Sequence, residues 1–256
     1  MPIYKSTDGI TKINTTPTIF RGAEIVFGSG LFVSASGGNI TTDGDYKIHT
    51  FSTPGTSSFI IESIASPNNL NSVEYLVQGG GGSGARIPNA TTFASAGAAG
   101  GIQTGSFTIL PTTYEVIVGV GGTNPAGTNY NGIDGKNSSI FGIIACSGSG
   151  GIRGDNFNGG GGSNCVYTGS TAGPFLNGAG ASNQANGIDN GDTNDPYINS
   201  GSIQDISGTP TEYGRAGRRY NQFDYSIKGS GGNGGNGSND STIGVDGVVI
   251  VRYQYQ

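Results

Sequence analysis

Tryptophan is absent, and the scarce chemical residues are Met1, His49, Cys146 and Cys165. One histidine and two cysteines do not make the four-ligand set of a structural zinc site. They also leave no Ser-His-Asp or Cys-His arrangement with a recognisable third partner. Charged residues are 11% of the chain and the net charge is −5, so the basic surface that nucleic acid demands is missing. No apolar run approaches the length of a membrane span. The opening residues MPIYKSTDGITKI hold no apolar h-region, so no signal peptide is read there. Apolar residues are only 33%, which shifts the burden of stability towards backbone hydrogen bonding. Cys146 and Cys165 can pair or stay free, and their spacing does not decide between the two.

Glycine is what the chain has instead: 50 of 256 residues, against a usual share of about 7%. Collagen would need glycine in strict register at every third position with abundant proline, and this chain has neither. The tracts are GGGGSG at Gly79–Gly84, GAAGG at Gly97–Gly101, GVGG at Gly119–Gly122, GSGG at Gly148–Gly151, GGGG at Gly159–Gly162 and KGSGGNGGNGSN at Lys228–Asn239. The last repeats with a period of three, which matches neither a helix nor a strand but is the period of a polyproline II helix. That conformation has no internal hydrogen bonds, so its backbone groups need outside partners. Two glycines in every three let other backbones approach on two sides. We read Lys228–Asn239 as the organising stretch, an extended glycine helix packed against others like it; a flexible linker is the alternative.

Between the tracts lie strands. Thr- and Pro-bearing residues Met1–Phe20 read as an extended arm, and Arg21–Ser36 as a hairpin about the Gly28-Ser29-Gly30 turn. Asn39–Ile61 holds two more strands with turns at Asp43-Gly44 and Pro54-Gly55. The most apolar segments are Val73–Gln78, Thr113–Val118 and Gly247–Tyr255; they are expected to share one core, in one sheet. The expected fold is all-β: a β-sandwich or jelly-roll-like core with polyglycine II-type segments, long loops and essentially no α-helix. The expected division is an N-terminal arm and hairpin over residues 1–33, for attachment or subunit contacts, and a β core with glycine-rich domain and distal loops over 34–256.

Motifs of catalysis do not survive inspection. GSGGNG from Gly229 spells G-x-G-x-x-G, but no helix follows to meet a pyrophosphate. Gly135-Lys136 resembles the end of a phosphate loop, yet Asn137 replaces the hydroxyl residue. Asp189, Asp192 and Asp195 in the Asn183–Asn199 loop do not fall at EF-hand positions. Neither enzyme activity, nor a cofactor, nor a metal is expected. His49 reads as a strand residue that faces solvent or serves as a hydrogen-bond partner.

The ordered set EYLVQGGGGSG, AGAAGG, YEVIVGVGG, NGIDGKNSSIFG, GGGG and GVVIVRY resembles the glycine-rich domain of bacteriophage tail-fibre and tail-tip (receptor-binding) proteins. The segment ITTDGDYKIHTFSTPGT is similar to the strand unit that precedes this domain, and the resemblance spans Ser34 to Tyr253. It implies a virion protein, outside the host cell, whose distal loops bind a host surface glycan or outer-membrane protein while the N-terminal arm meets other virion proteins. It implies a homotrimer by the habit of phage fibres. A non-adhesive structural virion subunit is the alternative. The short tracts and long loops point to a modest cluster of glycine segments beside a sandwich rather than a full lattice. The candidate receptor contacts lie in TEYGRAGRRYNQFDYSIK: Arg215, Arg218 and Arg219 among Tyr213, Tyr220, Phe223 and Tyr225. Arginine and tyrosine dominate interface hot spots, and such a patch suits a phosphorylated lipopolysaccharide. The alternative is that these aromatics fill a local core while the arginines are plain surface charge or make subunit contacts.

Overall fold

The computed structural model describes the backbone of strands 18–21 and 24–27, and then residues 32–65, 71–86, 96–124, 131–151, 201–215, 217, 227–233 and 241–256. The strands are β1 (Thr18–Arg21), β2 (Glu24–Phe27), β3 (Ser34–Ser36), β4 (Asn39–Asp43), β5 (Tyr46–Phe51), β6 (Gly55–Ser63) and β7 (Ser72–Gln78). They continue with β8 (Ile102–Thr108), β9 (Thr113–Val118), β10 (Ser138–Ile140), β11 (Ile143–Ala145), β12 (Ser202–Gln204), β13 (Thr211–Tyr213) and β14 (Val248–Gln254). Among the described residues there is no helix, and the protein is all-β.

Two five-stranded antiparallel sheets face each other, ordered β4-β5-β14-β7-β8 and β11-β10-β9-β6-β3. Alternation does the sorting. Val73, Val77, Val249, Val251 and Tyr253 point inward from the first sheet, and Phe59, Ile61, Val116 and Val118 from the second. The three most apolar segments therefore share a core, but they are not in one sheet: Thr113–Val118 lies in the sheet opposite the other two. Nothing local separates them, because sheet membership is set by distant pairing. The first sheet is also covered on its outer face, where Ile48, Leu76, Ile102, Val248 and Ile250 meet Ile206 and Tyr213 near the β12–β13 hairpin. This explains why β14 is apolar on both sides. The N-terminal hairpin pairs Thr18 with Phe27 and Arg21 with Glu24, so it turns between those strands and not at Gly28-Ser29-Gly30.

Chain crossings use glycine where the backbone demands it. Gly37, between β3 and β4, has φ +113°, and a Cβ there would sit 2.2 Å from the Ser58 carbonyl oxygen. The β10–β11 turn puts Phe141 at φ 56° and Gly142 at φ 76°, both left-handed as a type I′ hairpin requires. Phe141 is held in that unfavourable region by its ring, which stacks on Phe107 at 4.4 Å and meets Tyr114 edge-on at 4.8 Å.

Beyond one end of the sandwich the strands run on into glycine segments, which we number g1 (79–85), g2 (96–101), g3 (119–124), g4 (131–137), g5 (146–151), g6 (229–233) and g7 (241–247). Segment g1 is their axis. The N–H groups of Gly79 and Gly82 donate to Gly101 and Ala98 of g2, those of Gly80 and Ser83 to Lys136 and Ile133 of g4, and those of Gly81 and Gly84 to Val245 and Thr242 of g7. Its carbonyls accept in the same rotation: Gly80 and Ser83 from Gly148 and Gly151 of g5, Gly81 from Gly122 of g3, Gly82 from Gly232 of g6. Partners recur every third residue, which is the screw of a polyproline II helix. The neighbours also bond to one another in a closed ring, g2–g5–g4–g3–g7–g6, through pairs such as Ala98–Ser149, Gly135–Gly148, Lys136–Val120, Gly244–Gly122, Val245–Ser230 and Gly97–Gly232. Segments leading away from the sheets (g3, g5, g6) alternate round the ring with returning ones (g2, g4, g7).

The cluster is thus a complete hexagon of seven segments, fuller than the short tracts led us to expect, and its axis is Gly79–Gly84 rather than Lys228–Asn239. Packing explains the run of four glycines. A Cβ on Gly79, Gly80, Gly81 or Gly82 would lie 2.0–2.3 Å from a carbonyl oxygen of Cys146, Val120, Ser230 or Ser149 respectively. Around Gly79–Gly82 every side is occupied by backbone, so none of these four positions tolerates a side chain; further along, the axis makes room for one at Ser83, whose Oγ accepts the Ile133 N–H at 2.8 Å. Segment g6 sits in the ring, and its third side, covered by Arg215 rather than by another glycine segment, carries the buried Ser230 and Asn233.

Candidate functional site

The candidate loop begins on the covered face of the first sheet. Tyr213 is 3% exposed and packs with Ile48, Leu76 and Val248, so its ring is spent on the core. Burial pushes its phenol above the ordinary tyrosine range, partly offset by hydrogen bonds from Ser207 and Thr211. Arg215 is moored by its backbone to g6: its N–H donates to Ser230 Oγ at 3.0 Å and its carbonyl accepts from Gly231 at 3.0 Å. Its guanidinium grips Glu212 through both Nε and a terminal nitrogen. Glu212 in turn accepts the Gly201 N–H at 2.7 Å. Arg215 is therefore a tether with a partner inside the fold.

The loop that follows is closed at its stem. Gly214 N–H donates to the Lys228 carbonyl at 2.8 Å, and Gly217 lies against the outer end of the lattice, bonded to Gly97 at 3.3 Å. A Cβ at Gly217 would approach the Gly232 oxygen to 2.3 Å, which fixes glycine at the departure point. Arg218, Arg219, Tyr220, Phe223 and Tyr225 lie outside the described residues, as do Asn183–Asn199 and its three aspartates. Of the candidate receptor contacts, the structure brings Tyr213 and Arg215 to the stem of the loop, one buried and one paired. Among the described residues, no group of three His, Cys, Asp or Glu side chains could hold a metal ion.

His49 has no local signal of its surroundings. It is completely buried between the sheets, stacked on Tyr253 at 5.5 Å and edge-on to Phe59 at 5.1 Å. The Gly37 carbonyl, 2.7 Å from Nδ1, can only accept, so Nδ1 carries the proton and Nε2 accepts from the Tyr253 hydroxyl at 3.1 Å. Desolvation holds the imidazole below its ordinary pKa, and burial pushes Tyr253 up to about 12. This pair is a buried cross-strand link between β5 and β14 of the first sheet, and the histidine is the hydrogen-bond partner that one of its two sequence readings allowed. Arg252 makes the corresponding link on the outer face, stacked over the Tyr46 ring at 4.2 Å and 3.4 Å from Asp43. Cys146, at the entry to g5, is disulfide-bonded.

No curated protein matches the chain in sequence. The model of the glycine-rich domain family matches residues 52–254, which takes in the strands from β6 onward and the whole lattice, and the chain belongs to that family.

Proposed function

We propose that the protein is an adhesin of a bacteriophage tail fibre or tail tip, which binds a host surface glycan or outer-membrane protein through loops carried on the lattice. One observation carries this reading. The chain leaves the far end of the lattice after Arg86, Asn124, Gly151 and Asn233, and Gly217 is bonded to that same end. Several loops thus start from a platform whose segments are locked by backbone hydrogen bonds, and binding concentrates on loops held by rigid scaffolds. The composition of Arg218–Tyr225 suits an anionic glycan, with arginine for phosphate or carboxylate and tyrosine for stacking on sugar rings. A disulfide at Cys146 suits an oxidising exterior.

The test is binding of the fluorescently labelled full chain to a panel of intact bacteria, beside the double variant Arg218→Ala/Arg219→Ala. Arg215 is left in place because its pair with Glu212 belongs to the fold. Saturable binding that is lost in the variant supports an adhesin whose site is this loop. Binding that survives moves the site to another loop. A folded protein that binds no strain sinks the adhesin and favours a structural role in the virion, as a decoration, collar or fibre-joining subunit.

A further inference from the structure

Segment g3 is the outward vertex of the hexagon, flanked by g4 and g7. Residues at every third position project from these three segments on the solvent side. Bonds between the segments set them level: Lys136 N–H meets the Val120 carbonyl, Gly247 N–H meets Gly119, and Gly244 N–H meets Gly122. The result is two tiers. Nearer the sheets stand Lys136, Val120 and Asp246, where one Asp246 oxygen caps the Gly121 N–H at 2.8 Å. Further out stand Ile133, Thr123 and Ile243. Val120, Ile133 and Ile243 are 42%, 44% and 45% exposed, an unusual density of bare aliphatic surface for one small face. Short side chains on the protruding g3 and longer ones on its flanks level the surface.

We propose that this face is a contact between two copies of the chain, side by side and parallel, about a twofold axis that runs along g3. The charge pattern selects this occupant. Rotation about that axis exchanges the two flanks and leaves the tiers unchanged. Lys136 then faces the second copy's Asp246 and Asp246 faces its Lys136, while Ile133 faces Ile243. Val120 and Thr123, on the axis, each face their own counterpart. A single patch therefore satisfies both charges and buries all three aliphatic groups. The same patch cannot close a threefold ring, which needs two different surfaces on each subunit. It is small beside the roughly 800 Å² per partner of a stable interface, so the pair is a weak one that forms at high local concentration.

The experiment is sedimentation velocity of the full chain from about 1 µM to about 1 mM, with oxidative cross-linking of Thr123→Cys. The expected result is a monomer–dimer equilibrium, and a covalent dimer of Thr123→Cys under mild oxidation. Ile203→Cys, on β12 and 69% exposed, should not cross-link. Lys136→Glu places like charges opposite each other twice and should weaken dimerisation at least about tenfold, since exposed pairs act singly through small energies. Lys136 bonds into the lattice through its backbone alone and its side chain is exposed, so this variant stays folded, and far-ultraviolet circular dichroism verifies it. A chain that stays monomeric throughout, one that forms trimers, or a dimer in which Thr123→Cys fails to cross-link would each overturn the proposal.

Discussion

Replacing Gly81 by alanine tests the lattice at its axis. The new Cβ would lie 2.0 Å from the Ser230 oxygen, 2.4 Å from its carbonyl carbon and 2.9 Å from the Gly229 oxygen. All three are backbone atoms, so no side chain can swing aside. The shortfall from ordinary contact, about 3.5 Å, is roughly 1.5 Å. Displacement on that scale breaks the bonds Gly81–Val245, Gly122–Gly81 and Val245–Ser230, now 2.7–2.9 Å long. Each bond is worth about 1 kcal/mol net, and residual strain adds about 1–3 kcal/mol. The stiffer unfolded chain returns about 0.4–1 kcal/mol. The expected net loss is about 3–5 kcal/mol, a fall in Tm of roughly 6–20 °C at this chain length. Gly101→Ala is the control: its nearest neighbour would be 3.5 Å away, and its φ is not left-handed. It should be neutral, or stabilised by up to about 1 kcal/mol. Gly142→Ala should fall between, since its Cβ meets open space but its φ is +76°. Urea unfolding of the three variants decides the matter. If Gly81→Ala unfolds within about 1 kcal/mol of Gly101→Ala, close backbone approach does not hold this domain together.

Three further outcomes follow from particular side chains. His49 has a depressed pKa in the fold, so the unfolded chain binds its proton first; stability is full above about pH 6.5 and declines as pH falls below it, a slope that His49→Gln should flatten in urea titrations. Tyr253 has the opposite sign: with its pKa raised to about 12, its contribution is full below about pH 10 and is lost as pH rises through 12, and Tyr253→Phe should abolish that loss. The same Tyr253→Phe change leaves His49 Nε2 buried without its donor and should cost about 1–3 kcal/mol by denaturant unfolding at neutral pH. Glu212→Ala frees the Gly201 N–H and the Arg215 guanidinium together and should cost about 1–2 kcal/mol, while Glu212→Gln, which keeps an acceptor for Gly201, should cost less.

The all-β sandwich and the packed polyproline II segments were legible because both have local signals: apolar, β-branched and aromatic runs at Val73–Gln78 and Gly247–Tyr255 for the strands, and a period of three in Lys228–Asn239 for the glycine segments. What escaped the sequence was position. Lys228–Asn239 displays the period of three most clearly because one of its three sides faces no other glycine segment and has room for the side chains of Ser230 and Asn233 beneath Arg215. That same side, turned away from the other segments, marks g6 as peripheral. The true axis, Gly79–Gly82, shows no period at all, since a segment surrounded on every side must be glycine throughout. A clean repeat therefore signals the rim of such a lattice, and an unbroken glycine run its centre. His49 was equally unreadable: its partners, Gly37 and Tyr253, are 12 and 204 residues away.

This division of labour has a consequence for how the molecule can vary. In an ordinary core a substitution changes volume and shape, and neighbours must repack around it. Here the cohesion of the lattice comes from main-chain groups, which all residues except proline possess in full. Only the absence of a Cβ at inward positions is specified. Outward positions such as Val120, Thr123, Ile133 and Lys136 can change without touching a lattice bond, and so can the loops that start from the far end. Binding specificity could then be rewritten at the tip, or association along the open face, while the hexagon beneath stays the same. The exceptions are the outward residues whose side chains close the lattice's own loose ends: Asp134 caps Gly150, Asn137 caps Ser147 and Asp246 caps Gly121. Those three are tied to the scaffold by bonds of their own, so a substitution at any of them frees a lattice N–H that changes at the other outward positions leave paired.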